Sequence, residues 1–285
     1  MTLPVINQPK QDDRIAAVLQ SMGLPQQPSA DDLRLTPGGR LREILGNSTK
    51  LKKGLAVDVL SRVLYLSPST EAGINTCPKA GDCASQCIRD VGRMAFDQST
   101  RSRVMKTLYL HFYPDQFLAQ LRGEALRHAR KAQREGLTPA IRLNGTSDLP
   151  WEHARYGGIL DHLIALGIEV YDYTKLDPNK RNRRTPAGYH LTYSLSEDPG
   201  SWDIAKRWLR VGGNVAMVVS SVGGTTLNDA KAAQDRLLAQ GSFAGFPVVS
   251  GDETDARFLD PAGHLVILHA KGPAVRDSSG FVVRV

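Results

Sequence analysis

From Leu55 onward the chain alternates short apolar, β-rich runs with longer segments of helical periodicity, and this alternation constrains the fold more than any other feature. The strand runs fall at residues 56–66, 138–143, 169–174, 189–194, 214–219, 246–250 and 264–269, with 281–285 as a last one. Helical patterns lie between them at 99–112, 115–135, 151–165, 201–210 and 227–240. Parallel neighbours need a crossover and a helix supplies it, so the pattern predicts βα units around a mostly parallel sheet. At 285 residues, 41% of them hydrophobic, the chain can bury the core of one such domain. The expected fold is α/β, a complete or partial (βα) TIM-type barrel over residues 41–285 with an N-terminal extension.

In βα barrels the chemistry gathers at the C-terminal ends of the strands. Here the first strand is followed by a loop, 75–87, reading N-T-C-P-K-A-G-D-C-A-S-Q-C, which holds every cysteine of the chain at the spacing C-x5-C-x3-C. Pro78 stiffens this loop and Gly81 lets it turn, so three sulfurs can be aimed at one region. An odd number of thiols in a reducing compartment favours metal binding or catalysis over bridging. Thiolate-rich sites select zinc or iron–sulfur clusters. The loop lacks paired C-x2-C knuckles, and no histidine lies between Glu71 and Leu110. A [4Fe-4S] cluster on Cys77, Cys83 and Cys87, with one iron free for a small ligand, is therefore the leading reading; zinc and plain buried thiols stay open.

Other strand ends carry further polar groups. Asn144, Thr146 and Asp148, with Gly145 and Ser147, offer ligand contacts and a close backbone approach, or else a turn in which Ser147 or Asp148 caps a helix starting near Trp151. Strand alternation puts Tyr171, Tyr173 and Lys175 on one face and Asp172 and Thr174 on the other. Tyr173 and Lys175 could then serve as acid and base or hold an anion. Asp252 and Asp255 are expected to touch a ligand, while Arg257 and Asp260 form an ion pair that fixes their loop. Lys175, Tyr173 and Asp252 are the candidate catalytic residues; Asn144, Thr146, Asp148, Ser194, Asp255 and Lys271 are the candidate cofactor contacts. The run Lys180, Arg181, Arg183 and Arg184 is a solvated loop or a holder of phosphates. The glycine-rich stretch 220–226 lacks the spacing and lysine of a phosphate loop.

A formal charge of +7 suits an anionic partner, nucleic acid or a phosphate-bearing substrate. No apolar run reaches the roughly 18 residues of a membrane span, and the first residues lack a signal-peptide layout, so the expected location is the cytoplasm, with no membrane partner. Residues 1–40 are rich in Pro, Gln, Asp and Gly and read as a partly disordered arm for a protein partner, with one amphipathic stretch at 12–22. The helix carrying Arg122, Arg127, Arg130, Lys131 and Arg134 also bears the apolar stripe Phe117, Leu121 and Ala125, so its cations are a solvated face or a nucleic-acid surface. The rival function is accordingly a nucleic-acid-binding or virion-associated protein with a structural metal site, iron–sulfur or zinc.

Several motifs in one order resemble the phage gene product 88 family over residues 45–272. They are an N-T-K-L-like stretch at 47–51, T-C-P at 76–78, Cys83, Cys87, R-L-N-G-T-S-D at 142–148 with Trp151, Y-D-Y-T-K at 171–175, G-D-E-x-D-x-R-F-x-D-P at 251–261 and A-K-G at 270–272. Ile88 departs from the aromatic expected after the last cysteine. The resemblance implies a viral origin, hence host cytoplasm, more than a reaction. A looser resemblance is to radical S-adenosylmethionine enzymes, which also hold a three-cysteine cluster after the first barrel strand and bind S-adenosyl-L-methionine at the fourth iron. Their usual spacing is C-x3-C-x2-C, so the order of elements agrees and the spacing does not.

Overall fold

The structure, a computed structural model, describes residues 8–285 apart from Ser48, Asn182 and Arg183. Residues 1–7 of the expected arm, Ser48 of the N-T-K-L-like stretch and Arg183 of the basic run therefore lie outside the described residues. In chain order the elements are α1 (Gln8–Ser21), α2 (Ala30–Arg34), β1 (Leu45–Gly46), β2 (Val59–Leu64), α3 (Asp97–Phe112), α4 (Pro114–Glu135), β3 (Thr138–Arg142), α5 (Ile159–Ala165), β4 (Glu169–Thr174), α6 (Pro178–Arg181), β5 (Tyr189–Ser194), α7 (Ser201–Arg210), β6 (Asn214–Ser220), α8 (Leu227–Gln240), β7 (Ser242–Phe243), β8 (Phe246–Ser250), β9 (Leu265–His269) and β10 (Val283–Arg284). Among the described residues no helix is long and apolar enough to cross a membrane.

The α/β expectation holds. Strand order is β1-β2-β3-β4-β5-β6-β9-β8-β7, with β2 to β6, β9 and β8 parallel and the short β1 and β7 antiparallel at the two ends. This nine-strand path is open, so the closed form of the expected barrel is not what the hydrogen bonds describe. β10 adds a local feature: β5 stops opposite Ala216, and farther along β6 the residues Val219 and Ser220 pair instead with Val283 and Arg284.

Local chemistry accounts for the element ends. α8 starts with a reciprocal cap in which Thr226 Oγ1 accepts from Asp229 N at 3.2 Å and Asp229 accepts from Thr226 N at 2.9 Å, and it ends on Gly241 in the left-handed region. The glycine-rich stretch before it is thus a cap. α4 begins with Pro114 in its first turn and ends on left-handed Gly136, and it buries Phe117, Leu121 and Ala125, leaving Arg127, Arg130, Lys131 and Arg134 exposed. The helix expected from Trp151 begins only at Ile159, because Gly157 and Gly158 both have positive φ and break the turn. Ser147 and Asp148 therefore cap no helix.

The main core lies between the sheet and the helices, and the N-terminal segment belongs to it. Ile15, Leu19 and Leu33 are buried in that core, and Tyr113 Oη donates to the Pro28 carbonyl at 2.9 Å. The segment expected to be an arm is docked from α1 onward. On the opposite sheet face Val59, Ala140 and Tyr171 pack with Ala256 and Phe258. The loop after β8 thus crosses that face to reach β4.

Candidate active site at the strand ends

The residues that follow β2, β3, β4, β5 and β9 surround one cavity of about 280 Å³. Cys77, Cys83 and Cys87 line it from one side. Facing them are Asn144, Thr146 and Asp148 after β3, Tyr173 on β4 with Lys175 just beyond it, Ser194 on β5, Asp255, and His269 with Lys271 from the end of β9. Of the cysteines and the candidate catalytic and cofactor residues named from sequence, only Asp252 is not in the wall.

The cysteine loop is tied down from several directions. The Thr76 hydroxyl donates to the Ser67 carbonyl, and the Thr76 carbonyl accepts from Asp148 N at 2.8 Å. Cys77 Sγ accepts from Ser69 N at 3.3 Å and stands 3.6 Å from the Thr146 carbonyl. A turn of 3₁₀ helix, Gly81–Ala84, carries Cys83, and Asp82 N donates to Glu197 Oε1 at 2.7 Å. Gly81 suits this turn, since its φ of 51° lies in the left-handed region and a Cβ would have to displace the Glu197 carboxylate. Burial pushes the Cys77 thiol up to about 11 and raises Cys83 and Cys87 as well; the Lys175 charge opposes the rise at Cys83. Among the described residues no three His, Cys, Asp or Glu side chains gather within reach of a single ion. The thiols share a cavity wall without forming a tight tetrahedron.

Lys175 is the central charge on the opposite wall. Its Nζ lies 3.7 Å from Glu197 Oε2 and 4.5 Å above the Phe281 ring, with the side chain 9% exposed. Neither Nζ nor Glu197 Oε2 has a hydrogen-bond partner among the described residues. The alternation along β4 comes out as expected: Tyr173 and Lys175 meet the cavity, Tyr171 packs on Phe258 lower on the same face, and Asp172 is buried on the other.

Several expected roles change. Asn144 is the hub of its own loop: Oδ1 accepts from Leu149 N at 3.0 Å, Ser147 Oγ at 2.9 Å and Trp151 Nε1 at 3.1 Å, and Nδ2 donates to the Leu149 carbonyl at 3.0 Å. Such saturation is a structural use. Gly145 lines the cavity and also admits the neighbouring strand, because a Cβ would lie 2.8 Å from the Leu64 carbonyl. Asp148 accepts from Lys175 N at 2.8 Å and faces Arg181 at 3.7 Å; burial raises its carboxyl, with Arg181 opposing. Arg181, expected in a solvated or phosphate-holding run, is buried and pairs with Glu152 at 2.7 Å.

Asp252 stands behind the wall. Its carboxylate takes the Lys271 ammonium, accepts from Gln234 Nε2 at 3.0 Å and from His269 N at 3.3 Å, and lies 2.8 Å from His269 Nδ1, so it is placed to orient these two cavity residues. Asp255, by contrast, lines the cavity and pairs with Arg142 at 3.3 Å, and the Arg142 guanidinium lies 4.7 Å over the Tyr173 ring. Arg257 and Asp260 form the expected buried ion pair at 3.2 Å. Sequence reasoning assigned no role to Arg142 or Phe281; the first sat in plain view at the end of a strand run, within a motif.

A family profile described as Gene product 88 matches residues 40–285. No curated protein and no solved structure matches the chain.

Proposed function

This chain belongs to the gene product 88 family, and for it we propose an iron–sulfur role: Cys77, Cys83 and Cys87 hold a [4Fe-4S] cluster, and the iron without a cysteine takes a small ligand of the S-adenosyl-L-methionine kind. The observation that carries the reading is a match of charges. Three thiols line one cavity, and the buried Lys175 ammonium opposite them has no hydrogen-bond partner among the described residues. A buried ammonium is costly unless anions meet it; Glu197 Oε2 supplies one at 3.7 Å without a hydrogen bond, and a cluster ligated by thiolates would be a second. The residues fit the group in a second way. Thiols raised by burial ionise only when a metal compensates them, and a cubane spreads its cysteines over separate irons, so they need not crowd around one ion as zinc requires.

When bound, such a cluster would supply electrons and a Lewis-acidic iron to its ligand. The chain's own residues would do the rest. Tyr173, Ser194 and Asp255 would meet the ligand's polar groups, Lys271 would hold an anionic one under the restraint of Asp252, and Phe281 would keep water from Lys175. The open sheet supports a partial barrel, since the loop after β8 crosses its inner face to reach Tyr171.

Protein purified without oxygen should be brown and contain iron and sulfide, and Cys83→Ser should lose both. Unchanged iron and colour in that variant would refute the cluster ligands, and colourless protein with stoichiometric zinc would refute the cluster. Electron paramagnetic resonance of the reduced protein should change on adding S-adenosylmethionine; an unchanged signal would remove that ligand from the proposal.

A further inference from the structure

The basic helix stands apart from the cavity. Arg127, Lys131 and Arg134 of α4 recur at i, i+4 and i+7, so they share one helical face over about 10 Å. Arg62 of β2 faces them across a groove of about 190 Å³, and this groove shares no lining residue with the cysteine cavity. The two carboxylates in its wall are occupied. Glu124 accepts from the backbone N–H groups of Ile44 at 3.0 Å and Leu45 at 2.8 Å, and Glu43 pairs with Arg62 at 3.3 Å. His128 is turned inward, its Nε2 at 3.2 Å from the Ala140 carbonyl. Among the described residues neither Arg127 nor Arg134 has an ion-pair partner, and Lys131 has only an exposed contact with Glu135 at 3.8 Å. Exposed pairs of that kind hold a side chain weakly.

We propose that this groove binds the phosphate backbone of a nucleic acid. Cations laid out in a row suit a linear polyanion, whereas a lone phosphate calls for donors converging on one point. No aromatic side chain lines the groove, so bases have nothing to stack on and the contact is independent of sequence. The +7 charge of the chain draws such a partner in. The inference does not rest on the cluster.

The test is binding of a fluorescent mixed-sequence DNA duplex to the full chain over a salt series. Arg127, Lys131 and Arg134 on about three phosphates give a log–log salt slope of about −2.7, roughly a 40-fold loss between ~50 and ~200 mM salt. Arg127→Gln with Arg134→Gln should bring the slope to about −0.9. Arg40→Gln with Arg210→Gln, an equal charge change at exposed positions outside the groove, should leave it unaltered. Cys83→Ser should bind as tightly as the wild type, which separates this site from the cluster. Duplex should also protect Lys131 from an amine-reactive reagent in the unaltered protein. No salt-dependent binding by the wild type, an equal loss in the Arg40/Arg210 variant, or unchanged Lys131 reactivity would each overturn the proposal.

Discussion

Asp172 holds the loop that frames the cavity, and its ionisation gives a test with a defined sign. Oδ1 accepts from Asn144 N at 2.6 Å, and Oδ2 accepts from Tyr189 Oη at 2.7 Å and Asn144 Nδ2 at 3.3 Å. Burial nonetheless pushes this carboxyl up to about 7, against the pull of those donors and of Arg142 and Arg181. A folded state that keeps its proton longer than the unfolded chain loses stability as pH rises. The loss is nil below the unfolded value near 4, grows through the interval, and is complete above about 7. Three units at 1.36 kcal/mol each make it about 4 kcal/mol.

Asp172→Asn removes the titration while nearly preserving shape. Its amide turns a donor toward Asn144 Nδ2, which costs about 1–3 kcal/mol at every pH. The wild type should therefore be the more stable near pH 4, and its advantage should shrink by about 4 kcal/mol and vanish or reverse near pH 8. Urea unfolding of identically prepared proteins, followed by tryptophan fluorescence, measures this, and Trp151 is bonded into the same loop. A difference that stays flat or widens from pH 4 to 8 would show that the three donors hold the carboxylate ionised, and the burial argument would fail.

Two further outcomes follow from packing. Arg181→Met strands Glu152 and Asp148 without their cation and should cost about 3–5 kcal/mol in urea unfolding, with part recovered by adding Glu152→Gln; a loss below about 1 kcal/mol would mean water already serves those carboxylates. Leu19→Ala should cost about 2–5 kcal/mol if α1 is part of the core, whereas an unchanged urea midpoint would return the segment to the status of an arm.

How much of this was legible beforehand depended on the range of the interactions. Strands 169–174, 189–194 and 246–250 and helices 201–210 and 227–240 were read with the bounds the structure has, because β-rich runs and helical periodicity are local signals, and the cap and glycine that bound α8 are local too. Residues 151–158 were misread as helix. Tyr156, Ile159, Leu160 and Leu163 recur at i, i+3, i+4 and i+7 and carry helical spacing back past the true start, but Trp151 is held by Asn144 and the Gly157–Gly158 pair breaks the turn. The glycine pair was the available warning. Charged residues were harder still. Arg181 finds Glu152 and Asp252 finds Lys271 only through the fold, and from sequence each looked as free to meet a ligand as Asp255 does. The docking of α1 was hidden for the same reason, since four apolar residues on a short helix do not reveal what covers them.

The strand order bears on how the cavity is assembled. From β3 to β6 each strand pairs with the next in sequence, so the wall of Asn144, Tyr173 and Lys175 can grow by short-range steps. Two pairings reach farther. Val59 of β2 meets Thr138 of β3 across the cysteine loop, α3 and α4, and Val215 of β6 meets Leu265 of β9 across α8, β7 and β8. Loops of that length carry an entropic cost and slow the search. The thiols lie inside the first of these loops, and His269 and Lys271 lie at the end of the second. A chain in which β9 had not yet inserted would expose the thiols on an incomplete floor, facing solvent where the finished protein has a wall.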